Sequence, residues 1–283
     1  MQLFHAQEIN YKVLVSKQDI LDIDIKPLFR NDGGEKRMWL VSPQHGRSYL
    51  VDKRNNKFII SKGNGLSFSN NVIAQTPELP LETWGILYED AAIRDYRMGI
   101  EIASLGIKTN NMEAVIGIDL NLPSGISLKK EPALLQYSVE CPYRISDAPF
   151  MEKEQIMGYV EQWTELNDFK ANKYYEIASN ILIRNLRLMH SNKILHNALT
   201  SQNLTWALEL LDFELACSPF NPYEKEEYKR CMSQLFSREL IHTYQIILEI
   251  AGILKEKIDF NYIDKVFKDY GFDFQREFKL CQV

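Results

Sequence analysis

The feature that most restricts this chain is a change of hydrophobic period close to residues 141–150. Before it, short apolar runs are separated by turn chemistry: MWLVS (38–42), SYLVD (48–52) and FIIS (58–61) are parted by QHGR and KRNNK and closed by KGNG. Runs of that length with Gly/Asn-rich punctuation predict a three-strand antiparallel meander. Across 83–105, Ile86, Leu87, Ile93, Tyr96, Ile100 and Ile102 recur mostly at helical spacing, and Gly106 is placed to cap the helix end. MEAVIGIDL (112–120) and ALLQYSVE (133–140) then read as two further strands around the loop NLPSG, while residues 1–35 are mixed and punctuated by RNDGGEK.

After CPYRISDAPF (141–150) the chain turns helical, with apolar faces over 152–163 and 173–190 and further helices over about 223–254 and 259–270. One non-helical insert, KILHNALTSQNLTWALELLDFELA (193–216), reads as a loop feeding two tiny strands. The division expected is 1–140, a hinge at 141–150, and 151–283. In this order of elements the chain resembles a bilobal protein-kinase-like α+β fold, with a five-stranded antiparallel sheet and one helix in the first lobe and a mostly helical second lobe.

Composition removes whole classes. At 45% hydrophobic and 25% charged, 283 residues suit a globular chain, and a net charge of −5 argues against affinity drawn from nucleic-acid phosphates. Cys141, Cys217, Cys231 and Cys281 have no metal-ligand spacing and predict reduced thiols. No signal-peptide pattern opens the chain, and the most apolar stretch, IILEIAGIL, is short and contains Glu249. A soluble cytoplasmic protein without a membrane partner is expected.

The candidate chemistry lies in four places. Lys62 ends the third strand and Asp95 lies within the following helix, a pairing that would pin an ammonium group against nucleotide phosphates; Lys62 alone reads equally as a solvated hairpin lysine. Gly63 and Gly65 allow close backbone approach, so their N–H groups are candidates for a phosphate cradle, or simply form a turn. Asn203 and Asp212 each offer a hard oxygen ligand, and short strands between them would bring both to one Mg²⁺. Arg144 offers a bidentate fork suited to phosphate or to an ion pair. His196 suits a loop brace, whereas Ala198 puts a methyl group where active protein kinases keep the carboxylate that accepts the substrate proton.

At these residues the chain resembles the selenoprotein O family, kinase-fold proteins that bind ATP in a flipped orientation and transfer AMP to protein hydroxyls. The family's KGAGRTPYSR is similar to KGNGLSFS from Lys62, and its SIREYLASEAMHALGIPTT to AIRDYRMGIEIASLGIKTN (92–110), which puts Asp95 on the lysine-pairing acid. HGVMNTDNMSILGLTIDYG aligns without gaps on HNALTSQNLTWALELLDFE (196–214), so Asn203 and Asp212 fall on the metal ligands; HIRFG resembles PYRIS and points to Arg144 as a phosphate contact. The resemblance covers roughly 58–216. Gln202 stands where the family has its proposed base, Glu214 replaces a glycine, and no redox-active C-terminal cysteine region has an equivalent. Gln202 can hydrogen-bond a hydroxyl but cannot take its proton.

The resemblance implies an Mg²⁺-ATP-binding protein that transfers AMP to a protein or peptide hydroxyl. A pseudokinase that binds nucleotide or a partner without chemistry, and a phosphotransferase, remain alternatives. Lys62, Asp95 and Gln202 are the expected catalytic positions, with Gly63, Gly65, Arg144, Asn203 and Asp212 around the nucleotide.

Overall fold

The computed structural model describes residues 2–17, 27–31, 33–41, 47–65, 85–120, 128, 130–168, 173–222 and 232–273. The chain divides into two compact units, Met1–Ile100 with Asn110–Tyr143, and Glu101–Thr109 with Arg144–Val283. Several expected features, among them the loops 66–69 and 121–125, the helix stretch 223–231, Cys231 and Cys281, lie outside the described residues.

An antiparallel sheet makes the first unit. Its strands are β1 (Gln2–Glu8), β2 (Tyr11–Ser16), β3 (Leu28–Arg30), β4 (Lys36–Leu40), β5 (Ser48–Arg54), β6 (Lys57–Lys62), β7 (Leu87–Tyr88), β8 (Asn111–Ile118) and β9 (Pro132–Val139). The five strands read from the sequence are β4, β5, β6, β8 and β9, but the expected count is corrected: the sheet has nine strands among the described residues. β1 escaped because its packed side chains, Phe4 and Ala6, alternate with exposed Leu3 and His5, which blurs a polar/apolar period. β3 and β7, of three and two residues, are too short to display any period.

Strands pair in the order β2, β8, β9, β6, β5, β4, β1, β3, with β7 also on β9. β1 and β2 are joined only by Ile9 and Asn10, yet they lie toward opposite ends of that path. A flat sheet would hold them roughly 29 Å apart at the usual strand spacing, against a reach of about 10 Å for the connection. The sheet is therefore curled, and the Asp119 N–H donates to the Asn10 carbonyl at 3.1 Å, beside the end of β8. The β5–β6 hairpin turns through Asn55 and Asn56 at φ 47° and 62°, the left-handed pair that a tight two-residue turn requires.

Helix α1 (Glu89–Ser104) carries Asp95. The expected start near residue 83 is corrected: Gly85 has φ 80°, Ile86 bridges Asn64 and Leu87 pairs with Ala133, so the apolar side chains of this stretch serve the sheet. Gly106, at φ 76°, ends the helix as expected, its N–H donating to the Ala103 carbonyl.

The second unit contains α2 (Lys153–Leu166), α3 (Tyr174–Ser191), α4 (Met232–Leu254) and α5 (Phe260–Asp269), with 3-10 turns at Ile145–Phe150 and Ser201–Asn203. Tyr175, Ala178, Leu182, Ile183, Leu186 and Met189 form the buried face of α3, and Leu240, Ile246, Ile247, Ile250 and Ala251 that of α4. Glu256 caps α3 from outside the helix, its two oxygens accepting the Tyr174 and Tyr175 N–H groups at 2.8 and 2.9 Å. Among the described residues no helix is long and apolar enough to cross a membrane, and Cys141 and Cys217 are buried.

Candidate functional site

In the first unit β6 delivers Lys62 and α1 delivers Asp95. Lys62 Nζ donates to Asp95 Oδ2 at 2.8 Å, and the side chains are only 2% and 1% exposed. A charge buried this far is tolerated only beside an opposite partner, so each side chain fixes the other in place.

The glycines after Lys62 answer to packing. Gly63 has φ 99° and Gly65 φ 106°; a Cβ on Gly63 would lie 2.7 Å from both the Ala133 carbonyl oxygen and Leu87 Cβ, and one on Gly65 would lie 3.0 Å from the Phe29 ring. The Gly63 N–H, a candidate phosphate donor, is already given to the Arg47 carbonyl at 2.8 Å. Asn64, between the glycines, donates its side-chain amide to the Leu28 carbonyl and accepts the Arg30 N–H on its own carbonyl, which ties this loop to β3.

In the second unit, residues 194–217 form a braced loop. His196 is fully buried: Nε2 lies 3.0 Å from the Leu211 carbonyl and Nδ1 accepts the Ala198 N–H at 3.3 Å. Those partners define an Nε2–H tautomer, and burial pushes the imidazole below its ordinary pKa against the opposing influence of the Glu239 and Asp212 charges. Phe213 packs against it at a tilt, with ring centroids 5.2 Å apart.

Asn203 and Asp212 stand at the open end of a small hairpin. Leu204 bridges Leu210, the Leu211 N–H donates to the Asn203 carbonyl at 3.0 Å, and Thr205 closes the turn by accepting N–H groups from Ala207 and Glu209. The Asn203 Nδ2 donates to the Ala198 carbonyl at 2.8 Å, which leaves its Oδ1 facing Arg144. Asp212 adopts φ 65° and Leu208 φ 55°, left-handed conformations that cost a non-glycine residue energy and concentrate where structure over-determines them.

Arg144 is 4% exposed and works inside this loop: Nη1 donates to the Gln202 carbonyl at 2.7 Å and lies 3.4 Å from Asn203 Oδ1. Its backbone N–H is held by Asp147 at 2.8 Å. The guanidinium is thus a brace for Asn203 in this conformation. Gln202 is exposed and Glu214 half-buried.

Sequence reading passed over Asn197 and Glu239. Glu239 is 3% exposed, accepts the Asn197 N–H at 2.8 Å and pairs with His190 Nε2 at 2.9 Å. Its trace in the sequence is an acidic residue one turn before Thr243 and beside Leu240, on the stripe that α4 buries.

No protein-family model and no curated protein sequence matches the chain. Among solved structures, a crystal structure of a specific rhoptry antigen kinase domain from Toxoplasma gondii is similar, at 8% identity over 93% of this chain and 86% of that one, with a TM-score of 0.32. A likeness at this level assigns neither family nor activity.

Proposed function

We propose that the chain is an Mg²⁺-ATP-binding protein of kinase-like fold, acting by AMP transfer to a protein or peptide hydroxyl. The observation that carries the reading is the buried Lys62–Asp95 pair at 2.8 Å. A buried ion pair adds little stability over an apolar replacement, whereas an ammonium group fixed at one point is what stabilising phosphate charge requires. Mg²⁺, when bound, supplies the positive charge that offsets the phosphate oxygens. Asn203 and Asp212 would hold it, with Arg144 keeping Asn203 in place, and Lys62, its Nζ kept from wandering by Asp95, would meet a phosphate oxygen. In AMP transfer the acceptor hydroxyl oxygen attacks the α-phosphorus, its proton passes to solvent, and pyrophosphate leaves.

A second reading, a pseudokinase that binds nucleotide without chemistry, draws on one observation. The two positions where a base is expected hold none: Ala198 is a methyl group and Gln202 an amide, and both nitrogens of His196 are engaged. ATP labelled on the α or the γ phosphate separates the readings: α label on an acceptor supports AMP transfer, γ label a phosphotransferase, and neither label the pseudokinase. The shared premise is tested by melting the protein with ATP plus Mg²⁺ and with ATP plus chelator. Mg²⁺-ATP is expected to raise the melting temperature, and Asp212→Ala to remove the metal-dependent part. No shift in the wild type overturns nucleotide binding.

A further inference from the structure

Ser48, the first residue of β5, stands directly opposite Lys62, the last residue of β6. The Gly63 N–H donates to the Arg47 carbonyl at 2.8 Å, a bond that flanks the two residues from outside and makes them a non-hydrogen-bonded pair. Directly opposed residues of an antiparallel ladder send their side chains to the same side of the sheet, and in a pair of this kind they stand closest, with Cα atoms about 4.5 Å apart. That side is the one on which Lys62 meets Asp95 of α1. The backbone of Ser48 is used, its carbonyl accepting the Val41 N–H at 2.9 Å. Its hydroxyl is not: Ser48 is 2% exposed, and among the described residues its Oγ has no hydrogen-bond partner.

We propose that Ser48 is a further binding residue for the anion that Lys62 meets, its O–H donating to a phosphate oxygen. The identity of that anion rests on the Mg²⁺-ATP reading; the place of the hydroxyl beside the ammonium group does not. A buried hydroxyl without a partner is a cost to the fold, and alanine would fill the same strand position without it. Beside a buried ammonium group the partner that suits a hydroxyl donor is an oxyanion, which both groups attract. The two donors also differ in what they supply. Lys62 brings a full charge, strong but with little preference for direction, whereas a hydroxyl on a strand brings a short-range donor at a fixed point. One point attracts a phosphate; two points orient it.

The test compares the full chain with Ser48→Ala by calorimetric titration of Mg²⁺-ATP and of Mg²⁺ with inorganic triphosphate, and records the melting temperature of each protein without ligand. Ser48→Ala is expected to weaken both ligands alike, by about tenfold or more, the loss of a hydrogen bond to a charged acceptor. Its melting temperature without ligand is expected to equal or exceed that of the wild type, because the group removed has no partner in the fold. A lower melting temperature, or a variant that does not fold, means that the hydroxyl serves the fold itself, and overturns the proposal. Equal Mg²⁺-ATP affinity in the two proteins overturns it while leaving the nucleotide reading in place. A loss seen with ATP and not with triphosphate puts the hydroxyl on the nucleoside and overturns the phosphate contact. A wild type that binds triphosphate as tightly as ATP, with both weakened in Ser48→Ala, supports the contact and removes the nucleoside from the reading; a wild type that binds neither overturns both.

Discussion

The two units hold their candidate residues by opposite means. In the first, two side chains on a strand and a helix carry full charges and depend on each other, Lys62 on Asp95. In the second, Asn203 is held by a web of mostly neutral bonds reaching from Arg144, Ala198 and Leu211, on a backbone bent into left-handed conformations at Asn197, Leu208 and Asp212. A concentrated pair fails completely when either member goes; a distributed web loses one strand at a time. Substitutions should therefore be large and strongly coupled in the first unit, smaller and graded in the second.

The largest effect expected is that of splitting the pair. Lys62→Met strands the Asp95 carboxylate in the core and should cost roughly 3–5 kcal/mol in urea denaturation, whereas Lys62→Met with Asp95→Leu, which removes both charges, should recover most of it. A double variant as unstable as the sum of its singles would show that the two residues are not a unit. Gly63→Ala comes next, at roughly 2–4 kcal/mol, because the methyl meets the Ala133 carbonyl and Leu87 at 2.7 Å on a φ of 99°. Near-wild-type stability there would mean that the loop moves aside, and the packing reading of the glycine would go.

The contrast also explains what could be read in advance. Lys62 and Asp95 were legible because each sits on an element whose period is plain, and Asn203 and Asp212 because a short hairpin between them was implied by LTWALELL. Partners fixed by register or by tertiary packing were not. That the Gly63 N–H goes to Arg47 follows from how β5 and β6 align, and that Arg144 turns onto Gln202 and Asn203 follows from the bridge between Arg144 and Thr205. Glu239 is further still, since its role exists only once α4 lies against α3 and the loop. β1 and β2 were hidden for a related reason: strands that complete a curled sheet need only half a hydrophobic face.

Acid should loosen the second unit. Burial depresses the His196 pKa below its ordinary 6.5, so the folded state resists a proton that the unfolded chain accepts. The contribution is fully present above pH 6.5 and is lost as pH falls from there through the depressed folded value. His242, also depressed by burial and by Arg238, adds a slope of the same sign. Denaturation midpoints should fall with acidification below pH 6.5, and His196→Asn should flatten that fall; an unchanged slope would mean that the imidazole already carries a proton in the fold.

The smallest effects separate strain that is local from strain that is used. Lys193 and Asn197 share a left-handed backbone, φ 58° and 64°. Lys193 is exposed and closes α3 in a Schellman arrangement, its N–H on the His190 carbonyl and the Ile194 N–H on the Met189 carbonyl, a position glycine fills without strain. Lys193→Gly should therefore stabilise by about 0.5–1 kcal/mol, the relief of strain less the added freedom of the unfolded chain. Asn197→Gly relieves a smaller strain, because asparagine tolerates this conformation, and it forfeits the amide bond to the Leu215 carbonyl. It should destabilise by about 1 kcal/mol. If both glycine variants stabilise alike in the same urea titration, the Asn197 side chain holds nothing, and the bend at the start of the loop is an ordinary turn and not a junction between the helices and Asn203.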